Sequence, residues 1–160
     1  MRDLNQIDTI VIHSTLQRES ETFYMEALAA DHYRRGVRSG MGSKTAYHYV
    51  ILRDGDVIEC RKWEEPVRLS GNVSENGLGI CLVGGLNDEG EPGPGTYTTA
   101  QWKALFDLVN LIMVTFPRIE ILGHRDVFVS STKNGVCPAF DVPTFATVLR
   151  SLEPRERSNQ

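Results

Sequence analysis

The sequence predicts an α/β domain, because short β-rich runs and segments with helical character occur along the same chain. Three observations carry this prediction. Residues 9–13 are β-branched up to the final His13, as in a buried strand. Asp54-Gly55 separates two further β-rich runs, which is a strong hairpin signal. After Thr98, apolar residues recur at the spacing of an amphipathic helix.

Composition limits the classes of protein to which this chain can belong. Its 160 residues are 41% hydrophobic and 24% charged, which is typical of a folded domain with one core. A net charge of −4 gives no basic surface for nucleic acid. The apolar runs are too short to span a membrane, and the first residues lack the apolar segment of a signal peptide. We therefore expect one domain at residues 1–153, made in the cytoplasm, with a polar tail at residues 154–160.

Local signals divide the first half of the chain into a strand, a helix and a hairpin. Residues 9–13 form the strand, and residues 21–35 contain good helix formers that end before Gly36. Residues 46–52 and 56–60 form the two strands of the hairpin.

The second half is predicted to contain two strands and two helices. Residues 79–84 are apolar and bounded by glycines, as in a central strand, and residues 119–122 form another strand. Thr98 and Gln101 form a capping box at the start of the clearest helix. One face of that helix carries Trp102, Leu105, Phe106, Val109, Ile112, Met113 and Phe116. A short helix at residues 143–152 follows a loop.

Histidine and cysteine side chains form the candidate functional site. His13 and His124 follow predicted strands, where the edge of a sheet gathers side chains from distant positions. Cys137 lies in a polar loop, whereas Cys60 and Cys81 lie in β-rich runs and are expected to be small hydrophobic residues. Two imidazoles and one thiolate are typical of catalytic zinc, with the fourth position left for water. On this pattern alone, ordinary hydrogen-bonded structural histidines remain the alternative.

Five segments in order along the chain carry a family resemblance: VIHST at residues 11–15, AYHYVI at 46–51, GICLVGG at 79–85, GHRD at 123–126 and CPAFD at 137–141. They resemble the small N-acetylmuramoyl-L-alanine amidases of bacteriophages. That family also includes bacterial recycling amidases and animal peptidoglycan recognition proteins. The resemblance covers residues 7–152. It implies a central mixed β-sheet flanked by helices, and hydrolysis of the amide that joins N-acetylmuramic acid to L-alanine in peptidoglycan.

The resemblance also implies roles for individual residues. His13, His124 and Cys137 would bind Zn²⁺, and Tyr47 would be a catalytic side chain at the edge of the site. Phage relatives commonly carry a catalytic lysine at the position that is Gly135 here. Lys133 lies in the same loop and is the candidate for that role; the alternative is a solvated loop lysine.

Two further histidines are expected to be structural. His48 neighbours Tyr47 on a predicted strand, so its side chain points to the opposite face. His32 resembles a family position that packs beside the site, which predicts a hydrogen-bonded support role.

The full set of expected ligands favours catalysis over a module that only binds peptidoglycan. We expect a monomer that acts on peptidoglycan or muropeptides, without nucleic acid and without insertion into the membrane. A phage endolysin that reaches the cell wall after membrane permeabilisation is the favoured role. A cytosolic amidase that recycles muropeptides is the alternative.

Overall fold

The computed structural model describes residues 1–35, 45–67, 75–127 and 135–152. Within these ranges the strands are β1 (Thr9–Ser14), β2 (Gln17–Arg18), β3 (Tyr49–Ile51), β4 (Val57–Glu59), β5 (Gly77–Leu82), β6 (Gly85–Leu86) and β7 (Glu120–Gly123). The α-helices are α1 (Met25–Arg34), α2 (Thr99–Thr115), α3 (His124–Val127) and α4 (Val142–Ser151). The predicted tail at residues 154–160 lies outside the described residues. No helix in the described part of the chain is both long and apolar enough to span a bilayer.

Five strands form a sheet in the order β4-β3-β5-β1-β7. β3, β5, β1 and β7 are parallel neighbours, and β4 pairs antiparallel with β3 across the predicted hairpin. The predicted mixed sheet and the central position of β5 are therefore confirmed. Because carboxyl ends of parallel strands meet at one edge of a sheet, the residues that follow β1 and β7 lie close together.

The core lies between this sheet and α2. Every residue of β1 and β5 is buried, as expected for inner parallel strands. The predicted capping box is present, with Thr98 accepting from the Gln101 backbone and Gln101 bonding back to the Thr98 N–H. The Gln101 amide also donates to the carbonyl of Val83 at 2.7 Å, so this fully buried side chain joins the helix to the sheet. Leu108 is buried too, although the predicted apolar face omits it.

The first helix begins later than predicted. It starts at Met25 rather than near residue 21. The Ser20 N–H donates to the Asp88 carboxylate at 3.0 Å, and the Glu21 N–H donates to the Arg18 carbonyl at 3.1 Å. These bonds hold the start of the segment in a turn beside the β2 strand, so a tertiary contact overrides its helix propensity.

Candidate active site

Three potential ligands meet at the edge formed by the ends of β1 and β7. Ile12 pairs with Gly123 in the parallel ladder, so the following residues, His13 and His124, lie side by side with ring centroids 4.7 Å apart. Cys137 enters from the loop before α4. The ligand atoms of the two histidines and the cysteine all lie within 4.8 Å of one another. This group could hold a metal ion, and it contains the three residues expected from the sequence.

The environment of His13 fits a metal ligand. The side chain is only 4% exposed, and within the described ranges its Nε2 has no hydrogen-bond partner. Leaving a buried ring nitrogen without a partner costs free energy, and a bound cation would supply that partner. Burial, and next the neighbouring imidazole of His124, lower the pKa of His13 well below its ordinary value. The ring therefore stays neutral, which is the form that binds a metal.

Cys137 completes the set with a sulfur donor. The residue is 5% exposed, and burial raises the pKa of its thiol to about 11. The backbone N–H of Ser14 donates to its Sγ at 3.3 Å and opposes that rise. A nearby dication would deprotonate the thiol. Imidazole and thiolate together suit zinc, so the residues present fit the metal that the sequence predicts.

Two residues that the sequence analysis missed hold the cysteine loop against β1. The Tyr97 hydroxyl accepts from the Ala139 N–H at 3.2 Å and lies near the Ser14 hydroxyl. The Ser14 hydroxyl in turn donates to the Gly84 carbonyl. Ser14 could have been found because it directly follows a predicted ligand. Tyr97 gives no such signal, since it contacts the loop only in the folded chain.

Tyr47 lies next to the potential ligands. Its ring centroid is 4.9 Å from that of His13, and its phenol lies near the Cys81 thiol. Burial raises the pKa of the phenol well above its ordinary value, so the group remains a hydrogen-bond donor. The structure thus places the predicted catalytic tyrosine beside the three-residue group. The sequence predicts Tyr47 on the strand at residues 46–52, but the strand begins only at Tyr49, so Tyr47 lies just before it.

The other two histidines have the structural contacts expected of them. The fully buried His48 accepts from the Gly79 N–H at 3.0 Å through Nδ1, and burial, aided by the Arg2 charge, lowers its pKa to about 3. His32 accepts from the Ala46 N–H at 2.9 Å. Neither belongs to the group that could hold a metal. Lys133, the remaining predicted catalytic residue, lies outside the described residues.

A short helix, α3, stands where the sequence predicted a loop, and it sets the position of His124. The Asp126 carboxylate accepts from the Gly123 N–H at 2.7 Å, and the Arg125 N–H donates to the Cys137 carbonyl at 2.8 Å. These two bonds tie the segment that begins with His124 both to the end of β7 and to the cysteine loop. The backbone at Gly123 lies in close contact with its neighbours.

We expect Gly123→Ala to destabilise the site. A β-carbon at this position would lie 2.9 Å from the Asp126 carboxylate and 3.0 Å from both Pro138 and Val142. Overpacking of this kind costs about 1–3 kcal/mol, measurable as a lower free energy of urea unfolding. Gly95→Ala is the matched control, because no atom lies within 4 Å of its added β-carbon. Equal stability of the two variants would contradict the crowding at Gly123.

Comparison with known sequences identifies the family. The sequence profile of the Amidase_2 family, N-acetylmuramoyl-L-alanine amidase, matches residues 3–140. An uncharacterized protein of Haemophilus influenzae is 38% identical over 78 residues, covering 43% of this chain and 66% of that protein. The endolysin of Enterobacteria phage K11 is 31% identical over 96 residues, or 60% of each chain. The chain therefore spans less than two thirds of the length of these two relatives.

Solved structures share the fold. The N-acetylmuramoyl-L-alanine amidase LysC from Clostridium intestinale superposes with a TM-score of 0.69 at 22% identity, covering 94% of this chain and 88% of LysC. The bumblebee protein PGRP-SA superposes with a TM-score of 0.66 at 17% identity, covering 89% of this chain and 81% of that protein. At these identities the likeness establishes the fold, while the profile match over most of the chain establishes membership. The chain belongs to the N-acetylmuramoyl-L-alanine amidase family.

Proposed function

We propose that this protein is a zinc-dependent amidase that cleaves the bond between N-acetylmuramic acid and L-alanine in peptidoglycan. One observation carries the proposal: the ligand atoms of His13, His124 and Cys137 lie within 4.8 Å of one another, in a chain that belongs to an amidase family. In the described ranges, no further histidine, cysteine or acidic residue joins this group. Three protein ligands are typical of a catalytic zinc site, whereas a structural site usually has four.

The residues divide into those that would hold the metal and one that would act on the substrate. His13, His124 and Cys137 would hold zinc. When bound, zinc supplies Lewis acidity toward the scissile carbonyl and the attacking water. Tyr47 carries a protonated phenol beside His13, and its hydroxyl rotates about the C–O bond. We assign this hydroxyl to donate a hydrogen bond to the carbonyl oxygen as negative charge develops there.

The products of peptidoglycan digestion test the activity. Hydrolysis breaks the C–N bond of the amide and adds water across it, so the lactyl carbonyl becomes a carboxylate and the alanine nitrogen becomes a free amino terminus. We expect mass analysis to find such peptides and no new reducing sugar ends. Chelation should abolish their release, and added zinc should restore it. New reducing ends would identify a glycosidase instead, and binding without cleavage would identify a recognition module.

An endolysin role is the biological part of the proposal, and it is supported by the similarity to the K11 endolysin. An endolysin should cleave intact peptidoglycan efficiently and lyse cells only after their membrane is permeabilised. The alternative, a recycling amidase, should instead show a much higher kcat/KM on soluble muropeptides than on intact peptidoglycan. Lys133 remains a hypothesis from the sequence, and Lys133→Ala in the same digestion assay tests it.

A further inference from the structure

The short segment at residues 45–47 carries Tyr47 to the site. It forms a tight unit, because the Thr45 hydroxyl accepts from the Tyr47 N–H at 3.1 Å and donates to the Tyr47 carbonyl at 3.2 Å. A displacement of Thr45 would therefore also displace Tyr47.

Two side chains from outside the segment hold its backbone. From α1, Nδ1 of His32 accepts from the Ala46 N–H at 2.9 Å, and the His32 ring packs edge-on against Tyr47 with centroids 5.0 Å apart. From the residue after Cys60, Nε of Arg61 donates to the Thr45 carbonyl at 2.6 Å. The segment is thus held at one N–H by a residue that precedes it in the chain and at one carbonyl by a residue that follows it.

Burial of the Arg61 guanidinium at this position costs free energy. Its side chain is only 5% exposed, its Nη1 is 3.9 Å from the Glu65 carboxylate, and its Nη2 has no hydrogen-bond partner in the described ranges. A buried guanidinium with an incomplete set of partners is less favourable than a well-packed apolar side chain. Among the described contacts of this side chain, the 2.6 Å bond from Nε to the Thr45 carbonyl is the shortest, and it connects Arg61 to the segment that carries Tyr47.

We infer that Arg61 and His32 are positioning residues that clamp residues 45–47 and thereby fix the Tyr47 ring beside His13. The inference rests on the proposed function. Neither clamp residue belongs to the group that could hold a metal, and each bonds to the backbone of the segment that carries Tyr47. A catalytic donor displaced by about 1 Å can lose up to about 10²-fold in rate, which is the scale of effect a failed clamp produces.

Arg61→Met tests the clamp, because methionine fills similar space and lacks the donor. We expect kcat on peptidoglycan to fall about 10- to 100-fold, with KM within about twofold and zinc content unchanged. Arg61→Lys, which keeps a donor without the planar fork, should retain part of the rate. Lys62→Met is the matched control. That neighbouring side chain is 72% exposed and pairs only with the exposed Glu59 among the described ion pairs, so its loss should leave kcat unchanged.

A double-mutant cycle separates positioning from a general structural effect. In a Tyr47→Phe background, Arg61→Met should cause no further loss of kcat, because the group it positions is already gone. A full additional loss in that background would overturn the inference. It would show that Arg61 acts on the site independently of the phenol.

Nuclear magnetic resonance gives a readout that does not need activity. We expect contacts between the Tyr47 and His13 rings in the wild-type protein and their weakening in Arg61→Met. Unchanged contacts in a folded variant would overturn the inference even if the amidase proposal holds. If the wild type shows no hydrolysis, the amidase proposal fails while these contacts still decide the clamp. If Arg61→Met does not fold, the same measurement on Arg61→Lys and His32→Phe tests the clamp. His32→Phe keeps a ring but removes the acceptor for the Ala46 N–H.

Discussion

Cys137→Ser is expected to lose zinc and hydrolysis together. A neutral hydroxyl is a much poorer zinc ligand than a thiolate, so serine should not replace the sulfur donor of Cys137. Substituting a residue that only orients a metal ligand lowers metal affinity or activity about 10- to 100-fold. Loss of the ligand itself should cause a larger decrease. Elemental analysis should find one zinc per chain in the wild type and nearly none in the variant. Peptide release from peptidoglycan should fall with it.

Stability supplies a second measure of the same change. Zinc that binds only the folded chain contributes to folding, so Cys137→Ser should also lower the melting temperature of the zinc-loaded protein. Without zinc, the melting temperatures of the wild type and of Cys137→Ser should differ less. Cys60→Ser is the control, because that half-buried thiol is not among the potential ligands. Normal zinc content and turnover in Cys137→Ser would show that Cys137 is not a ligand.

Much of the fold follows from local patterns in the sequence. The hairpin at Asp54-Gly55 and the helix that begins after Thr98 both appear as predicted, because turn and capping residues act within a few positions of themselves. The short α3 helix was not predicted. One of its anchoring bonds is local, from the Gly123 N–H to Asp126 within α3, but the other joins Arg125 to the backbone of Cys137 in a later loop. The late start of α1 has a similar cause, since Asp88 holds the turn before it.

Some residues of the candidate site could likewise be predicted from the sequence, and others could not. The ends of predicted strands made His13 and His124 candidates, and the family resemblance then implied them as ligands together with Cys137. Arg61 and Tyr97 could not be predicted. A basic residue after a hairpin strand ordinarily indicates a solvated side chain, and nothing near Arg61 in sequence shows that it reaches the carbonyl of Thr45. The residues that could hold a metal are therefore visible in this sequence, whereas Arg61 and Tyr97 act through contacts between distant parts of the chain.

Tyr47→Phe is expected to keep the fold and the zinc while losing about 10²–10³-fold in kcat, the loss typical when one oxyanion donor is removed. Phenylalanine keeps the ring that packs on His13 and His32, so the aromatic contacts survive. Tyr24→Phe is the control, because that tyrosine is 63% exposed and remote from catalysis in the proposed mechanism. Steady-state rates, zinc content and thermal unfolding of both variants distinguish the outcomes. An unchanged rate would remove Tyr47 from the mechanism, and an unfolded variant would assign the phenol to packing instead.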